Sequence, residues 1–213
     1  MEQREVQAIL ALCRLHDVDC MVRPATLERA GLSRYLEDGA TGLMIPFVSD
    51  ADAAWKVIQA VKFPPAGERG LDGASLDGDY GLEAWKLGGS YTSEANHETF
   101  VVAQIETPEA VHNVEKIAAV PGINCLFIGS GDLRERLVIR ESNGMSVNDA
   151  AVHVARMARE YKVAWGIAVR SIEDLSQYHR LGAQLIPWGG DFLLTGMLEN
   201  CKKELDSALS HLP

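Results

Sequence analysis

The chain has no cysteine pair in C-x-x-C spacing, no H-E-x-x-H or H-x-H histidine pair, no apolar run of the ~18 residues that a membrane span needs, and no excess of basic charge. Each absence removes a class of function. Cys13, Cys20, Cys125 and Cys201 are scattered, so neither a zinc site nor a disulfide framework is expected, and most of them are expected inside as small apolar residues. The dispersed histidines are structural or surface residues rather than ligands. With 30 acidic and 20 basic residues the net charge is -10, which opposes attraction to phosphate backbones and anionic lipid. Neither nucleic acid nor a membrane surface is an expected partner. The N-terminal MEQREVQ lacks the apolar stretch of a signal peptide, and a cytoplasmic protein is expected.

What is present is a core-forming composition, 47% hydrophobic over 213 residues, enough for a single domain spanning 1–213. Short apolar runs alternate with segments of helical period, the pattern of a parallel sheet with right-handed crossovers. Strands are predicted at 20–23, 42–48, 100–106, 124–129, 163–169 and 184–188. Helix starts follow them: Ser49 with Asp52, Ser146 with Asp149 and Ser171 with Asp174 fit the S-x-x-D/E capping box, and Thr107 before Pro108 makes another start. Gly39, Pro121-Gly122 and Gly182 read as stops. The last helix carries Leu194, Leu198, Cys201, Leu205 and Leu209 on one face, a core or subunit-contact stripe. Residues 62–96, rich in Gly, Pro and Asp, read as one long loop, either an insertion or a wall of the active site.

In a parallel α/β architecture ligands bind at the carboxyl ends of the strands. The polar residues there are Arg23, Gln104, Glu106, Asp132 and Asp191. Glu106 and Asp132 close neighbouring strands, and two such carboxylates repel unless a cation lies between them. Mg2+ or Mn2+ suits them, because a hard cation takes oxygen ligands and retains waters that a bidentate substrate displaces. Arg23 supplies a planar donor for a carboxylate or an enolate oxygen. The competing structural reading makes Glu106 and Asp132 helix caps. Gly129, Ser130 and Gly131 favour the metal site, since a glycine-rich turn lets backbone amides approach an anion.

The motifs VRP (22–24), DGATGLMIPFVSDADAA (38–54), FPPAGERG (63–70), QIETPEAVHNVEKIAAVPGI (104–123) and LFIGSGDL (126–133), in this order and spacing, resemble those of the HpcH/HpaI aldolases. The resemblance implies a (β/α)8 TIM barrel of the phosphoenolpyruvate/pyruvate type and metal-dependent cleavage or formation of carbon–carbon bonds beside a 2-oxo acid. It implies Glu106 and Asp132 as ligands of Mg2+, Mn2+ or Co2+, and Arg23 as the catalytic contact to the pyruvyl oxygen. Gln104, Gly131 and Asp132 become substrate contacts, and FPPAGERG a wall of the pocket. Pyruvate or another 2-oxo acid and an aldehyde are the implied partners, in a homo-oligomer, a trimer or hexamer.

The chain departs from the family pattern in three places. It begins after the two strands that usually open the barrel, so the domain is expected to be N-terminally incomplete and to lack the acidic-Glu-His stretch that supports proton transfer. His16 precedes the first strand and is expected at the opposite end of the barrel. The usual GPADLS is GSGDLR, with Arg134 in place of a small hydroxyl, a surface residue or a contact for an acidic aldehyde. Trp188, in IPWGGD, narrows the pocket. Loss of the histidine makes oxaloacetate decarboxylation a second reading, and a catalytically impaired assembly partner a third.

Overall fold

The computed structural model describes residues 2–139 and 144–210. Helix α1 (Gln3–Leu15) precedes strand β1 (Met21–Val22), and α2 (Arg29–Glu37) leads into β2 (Gly42–Ile45). Helix α3 (Ala51–Val61), a 3-10 turn at Leu76–Gly81 and α4 (Tyr91–Glu98) separate β2 from β3 (Phe100–Ile105). The short helices α5 (Pro108–His112) and α6 (Val114–Ala118) join β3 to β4 (Cys125–Ile128). Helices α7 (Ser130–Ile139) and α8 (Val147–Tyr161) join β4 to β5 (Ala164–Ile167), and α9 (Ile172–Arg180) and α10 (Asp191–Leu209) follow.

Every pairing in the sheet is parallel, in the order β1-β2-β3-β4-β5, giving a partial barrel of five strands. The sixth predicted strand is reduced to two bridges, Gly166 with Leu185 and Val169 with Trp188. Pro187 has no N–H to extend a ladder, and Gly189 and Gly190 turn the chain away at φ of 92° and 117°. Strand β2 stops short of the predicted Val48 because Phe47 adopts φ of 53°.

Alternation along the strands sorts the side chains into two sets. Leu43, Ile45, Val101, Ala103, Ile105, Leu126 and Ile128 are sealed against the helices in the main core. Met44, Val102, Cys125 and Phe127 form a smaller cluster on the other face. That second face, continued to the carboxyl ends, carries Gln104 and Glu106 beyond Val102, Gly129 beyond Phe127 and Arg23 beyond Met21.

Most of the expected caps form. Ser146 and Asp149 make a reciprocal box on α8, Thr107 Oγ1 accepts from the Ala110 amide, and Ser171 accepts from the Asp174 amide. The Ser49 box does not form: Asp50 caps α3 by accepting from the Ala53 amide at 2.8 Å. A carboxylate one residue nearer the helix outcompetes the hydroxyl. Gly39, Gly122 and Gly182 all take positive φ, as stops do.

Residues 62–96 are not one irregular loop, since they contain the 3-10 turn and α4. Nor does FPPAGERG line the carboxyl-end mouth. Helix α3 runs antiparallel to the strands and delivers this segment to their amino ends, where Lys62 Nζ donates to the carbonyls of Asn96 (2.7 Å) and Thr99, just before β3. Of the cysteines only Cys125 is buried, while Cys13 and Cys20 are half-buried and Cys201 is exposed. The apolar stripe on α10 is uncovered, with Leu194, Leu198, Leu205 and Leu209 exposed. No helix among the described residues is long and apolar enough to cross a membrane.

Candidate active site

Glu106 is the most deeply buried acid among the described residues, at 1% exposure. It does not cap α5, a role that Thr107 fills. Instead Oε1 accepts the backbone N–H of Phe47 at 2.8 Å, across from β2 to the end of β3. Phe47 can aim its amide there because of its left-handed backbone conformation, an unusual one for a bulky side chain. The other carboxylate oxygen lies against Gly129: a Cβ there would sit 2.5 Å from Glu106 Oε2 and 2.7 Å from Gln104 Nε2. Gly129 is therefore required by space. Gly131 is not, since a Cβ there would meet nothing within 4 Å.

Burial pushes the Glu106 carboxyl above its ordinary value. The Phe47 amide draws it back, the Asp132 charge raises it further, and Arg23 and Arg136 lower it. Glu106 thus feels the charges of Asp132, Arg23 and Arg136. Among the described residues Glu106 has no cationic partner within 4.0 Å. A buried carboxylate without one is costly, and an ion bound beside it removes the cost.

Gln104 is buried at 9% exposure, and its Oε1 has no hydrogen-bond partner. Asp132 stands in the first turn of α7, half-exposed, with Oδ1 3.8 Å from Arg136 Nη2. Arg23 is exposed beyond β1. No group of three or more His, Cys, Asp or Glu gathers among the described residues. The donor set, two carboxylates and an orphaned amide oxygen, fits a hard divalent cation that completes its shell with water and substrate oxygens.

The predicted Arg23, Gln104, Glu106, Gly131 and Asp132 thus share one end of the sheet, whereas Asp191 is an exposed first residue of α10. Sequence reasoning missed Phe47 and Arg136. Helical spacing from Asp132 reaches Arg136 at i+4, a signal available without coordinates. Arg134 lines a cavity of about 520 Å³ together with Ser130, Asp174 and Tyr178. Trp188 is half-exposed.

A five-stranded parallel α/β partial barrel with a buried glutamate at its carboxyl end is of the TIM-barrel type. The profile of the HpcH/HpaI aldolase/citrate lyase family matches residues 3–195, and the chain belongs to that family. It is 39% identical over 133 residues to the 2-dehydro-3,6-dideoxy-6-sulfogluconate aldolase of Pseudomonas putida, covering 62% of this chain and 50% of that one. To the 4-hydroxy-2-oxovalerate aldolase of Novosphingobium aromaticivorans it is 37% identical over 181 residues, 83% of this chain and 63% of the relative. The crystal structure of an HpcH/HpaI aldolase from Desulfitobacterium hafniense DCB-2 superimposes with a TM-score of 0.84 at 28% identity, covering 100% of this chain and 80% of that one. The chain thus spans about half to two thirds of the length of these curated relatives.

Proposed function

We propose that this protein is a divalent-metal-dependent carbon–carbon lyase, a pyruvate aldolase of the cytoplasm that acts on 4-hydroxy-2-oxo acids. The observation that carries the reading is Glu106: a fully buried carboxylate, clamped by the Phe47 amide and beside the orphaned Gln104 oxygen, with no cationic partner among the described residues. Glu106 and Asp132 would hold Mg2+ or Mn2+. The cation, when bound, polarises the 2-oxo group and offsets the negative charge that develops on it.

The chain's own residues supply the rest. Arg23, a permanent planar donor beyond β1, meets the 2-oxo oxygen and steadies the enolate of pyruvate. The amides at Gly131 and Asp132, in the first turn of α7, receive the substrate carboxylate at the positive end of the helix. Gln104 offers its unpaired oxygen to a water or hydroxyl of the substrate. The exposed stripe on α10 is the contact through which copies assemble into a trimer or hexamer. The relatives named above act on substrates that differ in the tail beyond the 2-oxo group, a methyl in 4-hydroxy-2-oxovalerate and a sulfonate in the sulfogluconate derivative, so the aldehyde partner is set outside the shared centre.

A second reaction fits the same residues. Decarboxylation of oxaloacetate reaches the same enolate without a base to deprotonate a 4-hydroxyl. Among the described residues, His16, His97, His112, His153 and His179 all lie on helices or their C-caps, none on a loop following a strand. With general-base assistance commonly worth ~10²–10⁴-fold, the 213-residue chain is expected to retain metal-dependent oxaloacetate decarboxylation while its aldol cleavage is depressed at least roughly a hundredfold relative to a family aldolase.

Calorimetric titration with Mn2+ tests the centre. Glu106→Gln should weaken binding at least about tenfold, because it removes an ionised ligand while preserving shape. Equal affinity in the variant removes Glu106 from the site.

A further inference from the structure

The cavity of about 520 Å³ is lined from α7, the start of α8, the end of β5 and α9, and its volume falls within the ~300–1,000 Å³ of small-molecule sites. Arg134, Leu137 and Val138 recur at i, i+3 and i+4 and so share one face of α7, and Asp174 and Tyr178, one turn apart, share a face of α9. Leu137 and Ile167 are both buried and give the cavity an apolar floor. Arg170, in the turn between β5 and α9, brings a second guanidinium. Glu106, Gln104 and Asp132 are not among the lining residues, so the cavity is not the centre described above. The two are neighbours all the same, because Ser130, which lines the cavity, directly follows Gly129.

Arg134 and Arg170 are exposed, and neither makes a hydrogen bond or a salt bridge to a described residue. The Tyr178 ring is held edge-on to Trp165, with centroids 6.3 Å apart and planes at 86°. Burial and the Asp174 charge push its phenol up while Arg134 lowers it, so the hydroxyl is a protonated donor at neutral pH. The charged groups of the lining are two guanidiniums and one carboxylate, a local excess of one positive charge in a chain of net charge -10.

We propose that this cavity is a second ligand site, which binds a monocarboxylate carrying an aryl or branched alkyl body. The planar forks of Arg134 and Arg170 and the Tyr178 hydroxyl take the carboxylate, and charge-assisted bonds to a guanidinium are the strong ones. Leu137 and Ile167 take the body, whose apolar surface leaves water there. A single negative charge matches the single excess positive one. A phosphate on the same body would set its second charge against Asp174.

The test is calorimetric titration of the metal-free chain with 3-phenylpropanoate, 3-phenylpropan-1-ol and 3-phenylpropyl phosphate, three probes that share one body. Without metal, the Glu106 centre offers no cation to a carboxylate. The propanoate should bind at least about tenfold more tightly than either of the others. Arg134→Gln and Arg170→Gln, both at exposed positions where glutamine is accommodated, should each weaken it at least about tenfold, and Arg23→Gln should leave it unchanged. Binding that survives both cavity variants, or that is lost in Arg23→Gln, would put the ligand in the 2-oxo-acid mouth and overturn the inference. Equal affinity for the alcohol would remove the carboxylate's role, and tighter binding of the phosphate would refute the match to a single charge. Failure of all three probes to bind the wild type would overturn the site itself, and none of these results bears on the metal reading of Glu106.

Discussion

The backbone N–H of Phe47 donates to Glu106 Oε1 at 2.8 Å, joining the turn after β2 to the end of β3 across 59 positions of sequence. This single bond leaves the second oxygen of Glu106 pointing at Gly129, so the glycine's missing side chain becomes part of the site.

Gly129→Ala is accordingly predicted to damage the centre while sparing the fold. A methyl 2.5 Å from Glu106 Oε2 and 2.7 Å from Gln104 Nε2 forces both side chains aside. Mn2+ affinity should fall at least about tenfold, with a melting temperature lowered by roughly 2–12 °C, in line with the cost of ~1–3 kcal/mol for overpacking. Unchanged affinity in a calorimetric titration would show that neither side chain contributes to the ion.

At the opposite end of the barrel, Arg69 is buried against Phe63, its guanidinium carbon 4.5 Å from the ring centroid and its Nη2 2.5 Å from Asp77 Oδ2. The Tyr91 hydroxyl donates to the same Asp77 oxygen at 2.7 Å. Asp77→Asn strands the arginine's charge and should cost ~3–5 kcal/mol, a fall in melting temperature of roughly 6–20 °C for a chain of this size. Mn2+ binding by the folded variant should be unaffected. A matching loss of metal affinity would mean that FPPAGERG does communicate with the mouth.

Lys62 is buried, and desolvation lowers its ammonium pKa. The folded value then lies below the unfolded one of ~10.4, so the cost of burying charge is fully present at neutral pH and is relieved as pH rises through the lowered folded value towards the unfolded one. Lys62→Met removes this titration and leaves the carbonyls of Asn96 and Thr99 unpaired, at about 1–3 kcal/mol. Denaturant unfolding should show the wild type gaining stability over the variant in mildly alkaline solution. A constant difference across that range would place the Lys62 pKa at its ordinary value.

Helix α10 exposes Leu194, Leu198, Leu205 and Leu209 at 54–63%. Light scattering at micromolar concentration should report a multi-subunit mass, and replacing Leu194, Leu198 and Leu205 with Ser should reduce it to that of one chain. A wild type already monomeric would leave the stripe without an assembly role.

Much of this could be seen in one dimension. Alternating apolar runs and helical segments encode the parallel sheet, and the caps at Ser146, Thr107 and Ser171 encode where helices begin, because both depend on neighbours within a few residues. The period of two in VVAQIE puts Gln104 and Glu106 on one face before any strand is paired. Other features depended on packing between distant segments. That Phe47 clamps Glu106, that Gly129 is required and Gly131 is not, that FPPAGERG lies at the amino ends of the strands, and that Pro187 and the glycines after it keep the sixth strand to two bridges were decided by the tertiary structure. The physical reason is range: propensity, capping and alternation act within one turn or one strand, whereas the hydrogen bond that holds Glu106 and the close contact at Gly129 exist only once β2, β3 and β4 lie side by side.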